Sequence, residues 1–249
     1  MQTQKPFPEE AFKYLKEVEE NHWWFCTRNQ IILWVMQTKM DQFTEFLEVG
    51  CGTGYVLQGI AQAMPELRLE ASEYFDNGLE IARERVPQCQ FRQLDATKMS
   101  EVAAYDCIGC FDVLEHIDND QLVLQNFFRA LRQNGYLLIT VPQHPGLWSG
   151  SDNYAEHRRR YRSQELIKKA LQAGFRIEYT SSFVSLLLPL MAVQRIRSRQ
   201  TTYDPDVEFK VNGLISKAFY AVMQLEMILL KLGLRFPAGG SRLLLARKA

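Results

Sequence analysis

The stretch Glu45-Phe46-Leu47-Glu48-Val49-Gly50-Cys51-Gly52-Thr53-Gly54-Tyr55 runs from apolar residues into three glycines at spacing two, then into a segment suited to a helix. Such an apolar run reads as a strand buried on both faces of a parallel sheet. The glycines let the chain turn tightly and let a ligand approach the backbone with no Cβ in the way. In open α/β sheets ligands bind at the carboxyl ends of the strands, beside that first turn. A glycine-rich turn by itself also suits nicotinamide binders, P-loop relatives and plain tight turns, so the residues downstream must decide.

From Glu45 onward strand and helix patterns alternate, which predicts a doubly wound α/β sheet with helices on both faces. Strands are expected near 45–49, 68–73, 90–93, 105–111, 135–141 and 175–182, with helices near 55–63, 76–86, 120–132 and 163–173. Asp118-Asn119-Asp120 offers caps for the helix at 120, Asn134-Gly135 a stop for it, and Ser163 with Glu165 a cap for the next. Upstream, helical spacing covers 8–20 and 27–39. Between them His22-Trp23-Trp24-Phe25 is a dense aromatic link, expected to pack an N-terminal cap on the core or to form a lid. After Phe183 the alternation breaks. An apolar run at 183–193 leads to Arg195, Arg197 and Arg199, a polar loop at 201–211, a helix from Leu214 to Leu232 and a last strand at 241–247. The expected organisation is a helical cap at 1–40, a Rossmann-like core at 41–182, a helical insertion at 183–240 and a final core strand at 241–249.

Basic and acidic residues balance at 29 each, so no global charge draws the chain to nucleic acid or to an anionic membrane. Five scattered cysteines and a polar start predict a reduced, cytoplasmic protein. Cys107 and Cys110 fall inside an apolar strand pattern and read as buried thiols. The four histidines lack close metal-ligand spacing, so no metal site is expected. Neither late apolar stretch predicts a membrane span. The first is too short and holds Pro189, and the second carries Lys217, Glu226 and Lys231. Glu226 falls on the apolar face of its helix and calls for a partner, expected to be an arginine of the neighbouring segment.

Three further acids stand where strands should end. Glu73 closes the second strand, beside the glycine turn, where a carboxylate accepts the hydroxyl hydrogens of a ribose. Asp95, followed by Ala96, closes the third and suits an adenine amino group. The fourth ends in Phe111-Asp112-Val113-Leu114-Glu115-His116, directly before a helix.

These motifs, in this order at successive strand ends, resemble the class I S-adenosylmethionine-dependent methyltransferases over roughly residues 45–182. The resemblance implies a seven-stranded sheet in the order 3-2-1-4-5-7-6 with the last strand antiparallel, and S-adenosyl-L-methionine as cofactor. It implies that Glu48, Gly50, Gly52 and Gly54 lie at the methionine and ribose, and that Glu73 holds the ribose. It places Tyr74, Asp95 and Ala96 at the adenine, and Phe111 and Leu114 at the sulfonium end. Glu48 stands where many members have Asp. His22-Trp23-Trp24-Phe25, Leu147-Trp148-Ser149 with Asp152, the run His157 to Tyr161, and Phe236 to Ser241 are similar to a group of bacterial methyltransferases with loosely known substrates.

The implied reaction is in-line methyl transfer to a small-molecule acceptor. A base is needed only for a hydroxyl, carbon acid or protonated amine, and His144, His116 and His157 are the candidates. Trp24, Trp148, Arg159, Arg160 and Tyr161 are the candidate acceptor-binding residues. The chain is expected to act as monomer or homodimer, with no nucleic-acid partner. Its 183–193 run and neighbouring arginines offer peripheral membrane contact. A nicotinamide-dependent oxidoreductase and a non-catalytic cofactor-binding subunit remain the competing readings.

Overall fold

The computed structural model describes residues 9–198 and 213–249. The loop expected at 201–211, and Arg199, lie outside these residues. The chain opens with α1 (Glu9–Val18) and α2 (Trp23–Lys39). The core then runs β1 (Glu45–Val49), α3 (Tyr55–Ala63), β2 (Arg68–Glu73), α4 (Asp76–Arg85), β3 (Gln90–Gln93), β4 (Tyr105–Phe111), α5 (Asp120–Ala130) and β5 (Leu131–Pro142). The short α6 (Gly150–Tyr154), α7 (Ser163–Gln172) and β6 (Phe175–Phe183) follow, then α8 (Leu188–Ser198), α9 (Gly213–Lys231) and β7 (Ser241–Lys248).

One seven-stranded sheet carries the strands in the order β3-β2-β1-β4-β5-β7-β6. All neighbours pair in parallel except β7, which is antiparallel to both β5 and β6. This is the topology that the family resemblance implies. Successive side chains of a strand point to opposite faces. Phe46, Cys107, Tyr136 and Leu245 accordingly pack with α2, α3, α4 and α9, whereas Leu47, Ile108, Leu137 and Leu244 pack with α5 and α7. Cys107 and Cys110 are fully buried in β4, and all five cysteines are free thiols.

Several boundaries differ from expectation for identifiable reasons. The aromatic link is not a loop: α2 begins at Trp23, because His22 caps it by accepting the Trp24 amide hydrogen on Nδ1 at 3.3 Å. Asn119 does cap α5, accepting from the Leu122 amide, but Asn134-Gly135 does not stop it. Leu131 already pairs with Tyr105, and the register then shifts, so Asn134, at φ +64°, belongs to an irregularity within β5. Arg162 rather than Ser163 occupies the cap of α7, and its amide donates to Glu165.

The described parts of the expected insertion pack on the core through Val184, Leu187 and α9. Helix α9 buries Met223, Glu226, Met227 and Leu230. Among the described residues no arginine is found bonded to Glu226; its Oε2 accepts the amides of Ser185 (2.8 Å) and Leu186 (2.9 Å), a backbone pair that cannot be read from side-chain chemistry. By length and composition alone α9 is apolar enough to cross a membrane, and Leu214, Leu225 and Ile228 are exposed on it.

Candidate active site

At the carboxyl end of β1 the chain turns through left-handed backbone, with Gly50 and Gly54 both at φ +76°. A Cβ on Gly50 would stand 2.3 Å from Val113 Cγ2, so only glycine fits beneath the fourth strand's turn. Gly54 caps α3, where an added Cβ would stand 3.0 Å from Ala82 Cβ, and it does not line the cavity described next.

A cavity of about 470 Å³ opens along these strand ends, and Glu48, Gly50, Gly52, Glu73, Tyr74, Asp95, Ala96 and Phe111 all line it. Leu114 does not; it is fully buried in the core beside α5, since the turn that carries it points its side chain inward. Glu73 closes over the glycine turn, Oε2 accepting the Gly52 amide at 2.9 Å and Oε1 the amides of Tyr74 (2.8 Å) and Phe75 (3.3 Å). Burial raises its carboxyl pKa, and those amides oppose the rise only in part. Asp95 caps a short 3₁₀ turn (Ala96–Lys98), accepting from the Thr97 amide (3.0 Å) and hydroxyl (2.6 Å). Glu48 is buried, its Oε2 has no hydrogen-bond partner, and burial pushes its carboxyl up to about 8 against the pull of Arg28.

A second, more apolar cavity of about 760 Å³ adjoins the first, and Leu15, Phe25, Asp112 and Ala155 line both. Trp23 and Trp24 of α2, Leu190 and Met191 of α8, and Phe219 of α9 form its apolar walls. Trp23 and Phe219 meet edge to face at 5.5 Å, so the N-terminal cap and the insertion close over it together. Asp112 stands at the junction with φ +57°, its Oδ2 accepting from Arg28 Nη1 at 2.6 Å and Thr140 Oγ1 at 3.0 Å. The Arg28 guanidinium in turn lies over the Trp24 ring at 4.6 Å.

Glu115, His157 and Arg160 form the polar end of this cavity. Asp152 organises them: Oδ1 meets His157 Nδ1 at 2.9 Å and accepts from Arg160 Nε at 2.7 Å. Burial acts to raise the Asp152 carboxyl, but the His157 and Arg160 contacts outweigh it and hold the acid well below its usual range. The His116 and His157 rings meet edge to face at 4.7 Å. Burial, with His157 and Arg158 beside it, pushes His116 down to about 3.

The remaining candidates separate by direction. Successive residues of an extended segment face opposite sides, and Tyr161 is in such a segment, bridged to Gln143. Arg160 therefore faces the cavity, whereas Arg159 and Tyr161 turn to Asp120, at 3.0 and 2.7 Å. Tyr161 is a fully buried core residue and not a surface for an acceptor. Trp24 lines the second cavity, but Trp148 does not; its indole donates to Asn153 Oδ1 at 2.9 Å. His144 sits in a turn at φ +64° and lines neither cavity.

Two features have little trace in the sequence. Arg28 shows only as a cation within an apolar helix. Glu19 pairs with Arg85 and accepts from Thr53 Oγ1 at 2.8 Å, tying the cap to the glycine turn.

A family model described as a methyltransferase domain matches residues 12–180. Among curated proteins, the chain is 27% identical over 165 residues to a probable S-adenosylmethionine-dependent methyltransferase of Mycolicibacterium smegmatis, covering 65% of this chain and 62% of that one. It is 31% identical over 100 residues to a malonyl-[acyl-carrier protein] O-methyltransferase of Bacillus cereus, covering 39% and 37%. The matches thus span from about a third to three-fifths of the length of these relatives. The fold is shared with the phosphoethanolamine N-methyltransferase 2 of Haemonchus contortus solved with S-adenosyl-L-methionine (TM-score 0.59, 18% identity, 89% of this chain and 52% of that one). The chain belongs to the methyltransferase domain family and has the fold of the class I S-adenosylmethionine-dependent methyltransferases.

Proposed function

We propose that this chain transfers the methyl group of S-adenosylmethionine to a small-molecule acceptor whose apolar part occupies the second cavity. The observation that carries this reading is the adjacency of two cavities, one polar and motif-lined, the other mostly apolar, with Asp112 and Phe25 in the wall of both.

The residues of the first cavity fit the cofactor. Glu48, buried with a bare oxygen, and Arg28 nearby suit the ammonium and carboxylate of an amino-acid head group. Glu73 suits a ribose diol, and Asp95 with the Ala96 amide suits an adenine edge, with exposed Tyr74 against its face. Bound there, the cofactor supplies an electrophilic methyl on a sulfonium.

The chain's own task is to hold the acceptor's nucleophilic atom in line with the breaking bond and to exclude water. Trp23, Trp24 and Phe219 give the walls that do so. Of the three histidines, His116 and His157 flank the junction and His144 does not. Five free thiols suit a reducing, cytoplasmic setting.

Calorimetry with S-adenosylhomocysteine, followed by a screen of metabolite extract with methyl-labelled cofactor, tests the reading. Expected are binding and label transfer to a small molecule. Binding without transfer to any extract component leaves a cofactor-binding subunit, and no binding refutes the assignment of the first cavity.

A further inference from the structure

Glu115 is the least satisfied side chain near the junction. It is fully buried, and among the described residues neither carboxylate oxygen finds a hydrogen-bond partner in another residue. Buried polar groups without partners are uncommon, and each calls for a cause. The nearby arginines act on Glu115 through space, and the hydrogen bonds they make go to other groups. Arg160 gives Nε to Asp152 and Nη1 to the Gln143 carbonyl, and Arg28 Nη1 binds Asp112. What faces Glu115 instead is His157, whose Nε2 lies 4.0 Å from Oε1.

That pose of His157 is enforced. Its Nδ1 is held by Asp152 at 2.9 Å, and the next amide, of Arg158, donates to the Glu115 carbonyl at 2.7 Å. A carboxylate on one ring nitrogen, with the other nitrogen aimed at a second carboxylate, is the arrangement that orients an imidazole as a metal ligand. His116 completes the group: one donor atom from each of Glu115, His116 and His157 falls within 4.8 Å of the others. Ligand atoms at the usual bond lengths around one ion stand roughly 3.4 Å apart, so closing on an ion takes side-chain shifts on the order of 1 Å. The His116 ring already hydrogen-bonds backbone at Ala155 and Asp112, and an ion would take over one ring nitrogen while the other contact stays to orient the ring.

We propose that Glu115, His116 and His157 form a binding site for one divalent first-row transition cation. Mixed imidazole and carboxylate donors suit manganese, iron, cobalt or zinc better than calcium or magnesium. Three protein ligands leave coordination positions open. Glu115 and His157 line the second cavity and His116 the first, so those positions adjoin both. That the ion there polarises an oxygen of the methyl acceptor rests on the methyl-transfer reading above; the ion site itself does not.

The histidines are 41 positions apart, which is why their spacing gave no metal signal. The test uses full-length protein stripped with a chelator and titrated with Co²⁺, followed by visible absorption and metal analysis. Expected is one ion per chain with ligand-field bands, and affinity lower by on the order of 100-fold in both Glu115→Gln and His157→Gln. S-adenosylhomocysteine calorimetry on the same samples reports folding and the first cavity. If the wild type binds S-adenosylhomocysteine but no cobalt, or if both variants bind cobalt like the wild type, the ion site is refuted and the methyl-transfer reading stands. If cobalt binds and S-adenosylhomocysteine does not, the ion site stands and the methyl-transfer reading falls.

Discussion

The two cavities at the sheet's carboxyl edge are built in opposite ways. The first takes its polar groups from consecutive strand ends, Glu48, Glu73 and Asp95, each at the place its strand delivers it. The second takes its walls from α2, α8 and α9 and its polar end from the turn at Glu115 and the loop carrying His157 and Arg160. A site at consecutive strand ends inherits its geometry from the sheet. A site roofed by helices from both ends of the chain depends on how those helices dock. Substitutions in the first should therefore act on cofactor affinity, and substitutions in the second on stability and acceptor use alone.

The largest expected effect is that of Glu73→Ala. With Glu73 as the proposed ribose ligand, it would remove two charge-assisted bonds, at roughly 1.5–3 kcal/mol each, so affinity for S-adenosylhomocysteine should fall on the order of 100-fold or more. Calorimetry at matched protein folding checks this, and unchanged affinity breaks the assignment of the first cavity.

Glu48 gives the comparison a pH dependence. Its carboxyl titrates near 4.5 when unfolded and is pushed up to about 8 by burial in the folded, ligand-free chain. The folded state then holds the proton more tightly. The contribution of this group to stability is fully present below the unfolded pKa and falls as pH rises through this window, by at most about 1.4 kcal/mol per pH unit. Glu48→Gln should flatten that slope and raise Tm at pH 8. A Tm profile that is the same for both proteins would show that Arg28 already neutralises the charge.

Tyr161→Phe tests the reassignment of that residue to the core. Asp120 keeps Lys169 and Arg159 but loses the hydroxyl, so denaturation should register a loss of about 1–2 kcal/mol. Acceptor KM should not change; a raised KM would return Tyr161 to the acceptor site.

The smallest expected effect belongs to the roof. Phe219→Ala removes the edge-to-face contact with Trp23, worth about 0.5–1.5 kcal/mol. Affinity for S-adenosylhomocysteine should stay within the error of calorimetry while acceptor KM rises. A loss of cofactor binding would show that the two cavities are not separable.

The sequence by itself determined the sheet and the first cavity. An apolar strand, its glycine turn and the acids at the next two strand ends are local patterns, and the parallel sheet brings consecutive strand ends to one edge wherever they lie in the chain. Even there it does not separate the residues that line the cavity from Gly54 and Leu114, which pack against helices, because a motif's position does not tell the two apart. Only the tertiary structure decided the second cavity. Arg28 and Asp112 are 84 positions apart, and Trp23 meets Phe219 across nearly the whole chain. The alternation that sends Arg160 to the cavity and Tyr161 to the core depends on the segment being extended and on which side faces β5. Glu115 and His157 likewise come together only because the Arg158 amide is pinned to the Glu115 carbonyl. Such pairings are fixed by docking of distant segments, and no local periodicity records them.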